Sequence, residues 1–308
     1  MNDGGYGAFK QAECDKYLTN TDVMLKAAKD AGVRTALISP NAVEVRNNPG
    51  LKTYLETQKQ FYALLKDLGA KHQDPFVDQY AVTRTILEKT AADNNPVKAF
   101  PDGVHTSPAG ALLMAHTILV GLKAPAVVSD LEIDAAAKKT GKATRCKADK
   151  IEGGADGVSF ERTDEALPMP VQKDWHDMLP YLDQLKDLNY YGLKVSGLKE
   201  GKYSLSIDGK DVGAFTAAEL AAGVNLGNLE SGPVFDQAQK VFNAINDKNE
   251  GLVHPRFRKV VMSNPAKGDE AEREEELKYR QTEIDGRQAR IYKMAQPKMR
   301  KFELKAAK

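Results

Sequence analysis

The segment Phe100-Pro101-Asp102-Gly103-Val104-His105-Thr106-Ser107-Pro108-Ala109-Gly110 places an acid three residues ahead of a histidine on one short loop. At that spacing the Asp102 carboxylate can reach Nδ1 of His105 and fix its tautomer and orientation. Nε2 is then left as a general base toward a hydroxyl nucleophile. Ser107 can N-cap a helix that has Pro108 in its first position, so a helix running to Leu122 would hold the loop from its C-terminal side. The same pattern also fits a surface loop leading into a helix cap, and these residues alone leave both readings open.

The elements around that loop follow from hydrophobic periodicity. After the glycine-rich start Met1-Asn2-Asp3-Gly4-Gly5-Tyr6-Gly7, the spacing of Tyr17, Leu18, Met24, Leu25 and Ala28 predicts a helix over 15–31 with Gly32 as its C-cap. Residues 33–40 read as a short buried strand stopped by Pro40, and Asn47-Asn48-Pro49-Gly50 as a turn. Amphipathic helices are expected over 51–68, ended by Gly69, and over 78–92, with a strand remnant at Phe76-Val77 between them. Turn, helix and strand make half of a βαβ unit whose first strand would precede Met1; either the fold begins unusually or the sequence lacks its start. After Lys123 the texture changes to short alternating runs, 126–133, 143–151, 157–162, 192–198 and 202–207, with Asp208-Gly209 as a hairpin turn and a helical interlude over 173–188. The expected organisation is an α/β domain over 1–122, a β-rich domain with a helical insert over 123–230, and C-terminal helices with a basic tail over 231–308.

Composition narrows the class. The 308 residues carry 44 basic and 43 acidic side chains, a net charge of +1, which gives no reason to expect nucleic acid or an anionic membrane as main partner. The longest apolar stretch, 109–122, is interrupted by His116 and Thr117 and is too short for a membrane span. No basic segment followed by an apolar one marks a leader at the N-terminus. Two cysteines, Cys14 and Cys146, exclude a disulfide scaffold and a cysteine-rich zinc site and are expected to be free. His72, His116, His176 and His254 share no metal-ligand spacing. Trp175 and His176, near Pro168-Met169-Pro170, read either as cleft lining or as partial burial at a domain junction. The stretch 269–293 reads as a solvated helix rich in i,i+4 charge pairs, and the basic end of the chain as a frayed terminus.

Asp102 to Gly110, followed by Leu113-Met114-Ala115, resembles the catalytic Asp-x-x-His block of the SGNH, or GDSL-type, hydrolases. Met1-Asn2-Asp3-Gly4-Gly5 resembles the same family's Gly-x-Asn-Asp block without its first glycine. The stretches 189–198 and 212–226 resemble the small β-domain that some bacterial members carry after the catalytic histidine. The resemblance implies an α/β fold: a three-layer α/β/α, flavodoxin-like hydrolase domain lacking its N-terminal part, with an appended β-rich domain and C-terminal helices. It implies a serine ester hydrolase in which His105 is the general base, Asp102 orients it, and Asn2 donates its side-chain amide to the oxyanion. It further implies that no metal or cofactor is needed, that the partner is a small-molecule or carbohydrate ester, O-acetylated carbohydrate included, and that the full-length protein is secreted or periplasmic.

One departure bears on activity. The family's nucleophile stands in a Gly-Asp-Ser block, and no Gly-Asp-Ser occurs in these 308 residues. Ser39, Ser129 and Ser206 sit near strands without that turn, and Ser107 is only two residues past His105. The family's other oxyanion donors, a glycine and the nucleophile's own N–H, have no counterpart either. A single truncation accounts for the missing strand, glycine and serine, so the expectation is a fragment that is inactive alone. The alternative is a non-catalytic binding or structural module derived from that fold, with Asp102 and His105 kept as packing residues.

Overall fold

The computed structural model describes residues 2–186, 188–262 and 270–307. It divides into two compact units, Met1–Pro125 with Gln172–Leu188, and Ala126–Val171 with Asn189–Lys308. The fold is mixed α/β.

In the first unit, α1 (Gln11–Asp30) presents Tyr17 and Leu18 to Phe61, Tyr62 and Leu65. The Tyr17 and Phe61 rings lie 5.1 Å apart. The strand expected over 33–40 condenses to β1 (Leu37–Ile38), which pairs in parallel with β2 (Phe76–Val77). The parallel pair is joined through α2 (Lys52–Ala63) and α3 (Leu65–His72), as the geometry of a parallel crossover requires. The single helix expected over 51–68 is thus two helices meeting at Leu64. Gly69 does not end the second: it lies inside α3, where a Cβ would stand 3.2 Å from the carbonyl oxygen of Asp74 and 3.5 Å from Leu37. The glycine serves close packing, and Gln73, in the left-handed conformation, terminates the helix instead.

Two further helices complete the unit. Asp78 caps α4 (Gln79–Ala92) by accepting from the Ala81 N–H at 3.0 Å. Ser107 caps α5 (Pro108–Gly121) by accepting from the Gly110 N–H at 3.2 Å, with Pro108 in the first turn as its fixed φ favours. The interlude over 173–188 belongs to this unit and forms 3-10 turns, Lys173–Trp175 and Leu179–Leu185, rather than a regular helix.

The second unit is built on two sheets. One has the order β10-β7-β3-β4 and the other β5-β6-β11-β8-β9, with β3 (Val127–Asp134), β4 (Lys139–Thr144), β5 (Cys146–Gly154), β6 (Gly157–Asp164), β7 (Tyr190–Ser196), β8 (Lys202–Ile207), β9 (Lys210–Thr216), β10 (Val224–Asn225) and β11 (Arg300–Ala306). The β3–β7 pair is parallel and the other pairs are antiparallel. Inward residues of both sheets, among them Leu131, Leu193, Phe160, Leu205 and Phe302, form one core. The run expected as one strand over 143–151 spans the corner between β4 and β5, which Arg145 turns with a positive φ.

One element of this unit departs from expectation. The basic end of the chain is not frayed: β11 lies between β6 and β8, buries Phe302 and Leu304, and exposes its lysines. Alternation decides this, because Phe302, Leu304 and Ala306 share one face while Lys301, Glu303 and Lys305 fall on the other. Arg162 is fully buried, with Nε 2.9 Å from Asp164 Oδ1, Nη1 donating to the Gly192 carbonyl and Nη2 to Ser129. Tyr191 donates to the other Asp164 oxygen at 2.6 Å, so the buried pair is fully hydrogen-bonded. Helices α6 (Ala217–Ala222), α7 (Pro233–Lys248) and α8 (Glu270–Met294) also belong to this unit; Arg280 and Glu276, 2.6 Å apart, are one of the i,i+4 pairs expected in α8, while Asp269 lies outside the described residues.

Candidate active site

Asp102 and His105 meet as their spacing predicts. Nδ1 of His105 lies 2.6 Å from Oδ2 of Asp102. The other carboxylate oxygen accepts the backbone N–H groups of Val104 at 2.8 Å and His105 at 2.7 Å. An ionised carboxylate can only accept, so the proton of the pair sits on Nδ1 and Nε2 presents its lone pair. The His105 hydrogen bond, followed by those of the two backbone N–H groups, holds the Asp102 carboxyl well below the usual carboxylate range. The imidazole points outward: the His105 side chain is 86% exposed and that of Asp102 57%.

The loop owes its shape to its supports. Ala99 O accepts the Ser107 N–H at 2.9 Å, which closes the loop where α5 begins. Helix α5 approaches so closely there that a Cβ on Gly110 would stand 2.1 Å from Ala99 O. Gly103 has a φ of +89°, and a Cβ on it would meet Leu51 at 2.7 Å and Asn48 at 2.8 Å. Val104 packs on Val43, Leu51 and Tyr54.

Asn2 stands in a 3-10 turn, Asn2–Gly4, on the exposed surface of the same unit. Its Oδ1 accepts from the Tyr6 hydroxyl at 2.6 Å. The Tyr6 ring lies 5.0 Å from that of Tyr54, and a Cβ on Gly4 would be 2.7 Å from the Tyr54 ring. The fully buried Tyr54 therefore supports the Asn2 turn and, through Val104, the Asp102–His105 loop. Sequence reasoning missed Tyr54 as well as Glu44, Arg46, Asn47 and Asn48, which bind the loop from the segment before α2. The available signal was a lone acid, Glu44, inside the apolar run Ala42-Val43-Glu44-Val45.

The serines have other occupations. Ser39 is buried, accepts the Tyr80 N–H at 2.9 Å and faces Asp78. Ser107 caps α5, and Ser129 belongs to the Arg162 network. Among the described residues no serine hydroxyl is hydrogen-bonded to His105. Of the other histidines, His72 lies 2.6 Å from Asp22 and His254 3.1 Å from Glu250. Trp175 is half-buried and His176 exposed, both in the first unit, whereas Pro168-Met169-Pro170 belongs to the second. Cys14 and Cys146 are free thiols whose pKa values burial pushes up. No helix among the described residues is long and apolar enough to cross a membrane.

No protein-family model matches the chain, and no curated protein sequence matches it. Among solved structures, the chain is similar to BT4096, a gut microbial diltiazem-metabolizing enzyme. The identity is 22% and the TM-score 0.77, and the match covers 96% of this chain and 78% of that one. At that identity the likeness establishes a shared fold.

Proposed function

We propose that this chain carries the acid–base pair of an SGNH-type hydrolase that cleaves acyl esters through a serine acyl-enzyme. The observation that carries the reading is the 2.6 Å contact between Asp102 and His105 Nδ1, with Nε2 open to an incoming hydroxyl. In this scheme Nε2 takes the serine proton as the hydroxyl attacks the ester carbonyl. The imidazolium, stabilised by Asp102, then protonates the departing alcohol. Water attacks the acyl-enzyme with His105 again as base, which releases the acid and restores the serine. The Asn2 side-chain amide is the oxyanion donor in this reading. The serine is the component that this reading takes from residues outside these 308, since no Gly-Asp-Ser block occurs among them and Ser39, Ser107 and Ser129 are engaged elsewhere. The α/β unit is the catalytic part in this scheme and the β-rich unit an accessory domain.

The likeness to an enzyme that metabolizes a small drug molecule supports an enzymatic reading with a small-molecule ester as substrate; the motif resemblance adds O-acetylated carbohydrate as a substrate class. The test is fluorophosphonate labelling, with p-nitrophenyl acetate hydrolysis, of the product of the complete reading frame containing residues 1–308. Labelling and turnover are expected there, and neither in residues 1–308 alone. A His105→Ala variant that hydrolyses at the native rate would overturn the role of His105. Turnover by residues 1–308 alone would place the nucleophile inside this chain.

A further inference from the structure

One buried carboxylate ties the segment before α2 to the loop that carries Asp102 and His105. The Glu44 side chain is only 2% exposed. Its Oε2 accepts the Phe100 N–H at 2.8 Å, and its Oε1 accepts from Arg46 Nη2 at 2.8 Å. Its backbone N–H donates to Gly103 O at 2.9 Å. Phe100 and Gly103 are the first and last residues of one turn, closed by the Gly103 N–H donating to Phe100 O at 2.8 Å. Pro101 and Gly103 suit its second and fourth positions. Glu44 therefore grips both ends of the turn whose third residue is Asp102.

Neighbouring side chains brace the same grip. Arg46 donates to Asn95 O at 2.8 Å and also to Val97 O. Asn47 donates to Phe100 O at 3.0 Å and Asn48 to Asp102 O at 3.1 Å.

We infer that Glu44 is a positioning residue for the Asp102–His105 pair: its carboxylate, braced by Arg46, fixes the turn that aims Asp102 at His105 Nδ1. The inference rests on Asp102 and His105 being the acid–base pair. An exposed pair in water is weakly held by its own attraction, so its alignment comes from the frame beneath it. That frame needs an acceptor on both oxygens of residue 44, because donors approach from both sides. A glutamine has nearly the same shape but must turn its amide NH2 toward either the Phe100 N–H or Arg46, opposing donor to donor. The turn then rotates, and the Asp102 contact is the first to open.

The test reads the imidazole directly. Full-length chain labelled with 15N histidine is compared by NMR as wild type, Glu44→Gln and Arg46→Lys, above the pH where the imidazole is neutral. Leu65→Ala, which weakens the α1–α3 core without touching either loop, is the control. In wild type and control His105 is expected as the Nδ1–H tautomer. In Glu44→Gln it shifts to the Nε2–H form, and Arg46→Lys moves it the same way by less. Where turnover is measurable, kcat falls on the order of 10- to 100-fold with little change in KM, as for an ångström-scale misplacement. A native His105 signature in folded Glu44→Gln overturns the inference; should that variant not fold, a native signature in Arg46→Lys does so. The tautomer readout needs no ester hydrolysis, so it holds or fails separately from the proposed activity.

Discussion

Gly110→Ala separates packing from intrinsic helix preference at the point where α5 meets the Asp102–His105 loop. By helix propensity alone, alanine for glycine inside a helix stabilises by about 0.5–1 kcal/mol. Here the new Cβ would lie 2.1 Å from Ala99 O. Ordinary carbon–oxygen contacts begin near ~3.3 Å, so helix and loop must separate by about 1 Å. Overpacking of this kind costs about 1–3 kcal/mol, and the upper part of that range applies because the obstacle is a backbone carbonyl rather than a mobile side chain. The net effect expected is destabilisation by about 1–2 kcal/mol, a fall of roughly 4–8 °C in the first unit's Tm. Gly286→Ala is the matched control: its site in α8 has nothing within 4 Å of the added Cβ, so the same substitution there should stabilise the second unit. Differential scanning calorimetry of both variants is the assay. An unchanged or raised Tm for Gly110→Ala would refute the argument, since it would mean that Ala99 and α5 can part freely. Because the Ser107 N–H also bonds Ala99 O, the displacement should reach the Asp102–His105 loop and, under the proposed function, lower turnover by on the order of 100-fold.

Three further outcomes are expected. The Asp102 carboxyl is held low, so the folded loop gains stability from it above the ordinary aspartate pKa of about 3.9, and loses that contribution as the pH falls through the depressed folded value. A 13C titration should show this, and His105→Ala should move the Asp102 midpoint upward; an unmoved midpoint would deny the 2.6 Å contact its main role. Arg162→Met leaves the Asp164 carboxylate buried without its cation and should cost about 3–5 kcal/mol, read as a lower melting temperature of the second unit, with Asp164→Leu added in the double variant restoring much of it. Leu304→Asp should unfold β11 from the sheet and expose residues 300–306 to proteolysis, whereas Lys301→Glu on the exposed face should not.

The local part of the site was legible because its geometry is short-range. Asp102, Val104 and His105 bond to one another within four residues, and Ser107-Pro108 carries its own cap, so each of these contacts is local in sequence. Alternation likewise announced β3, β6, β7 and β8, and the Asp-Gly signal the positive-φ turn at Asp208-Gly209 between β8 and β9. Reading by charge failed at the end of the chain. The tail around Phe302 looks solvent-facing to any rule that sends cations outward, yet it is sheet-bound because β6 and β8 pair with it on both sides and its apolar residues face the core.

What the sequence determined by itself is that an acid and a histidine stand at a spacing that lets the carboxylate reach Nδ1 and fix one tautomer. Tertiary structure alone decided what holds that pair still. Glu44 and Phe100 are 56 residues apart, and no periodicity or turn signal links them. Only when the two loops close on each other does a carboxylate inside an apolar run find its N–H donors. Its value to the site lies in that burial, which no local pattern encodes.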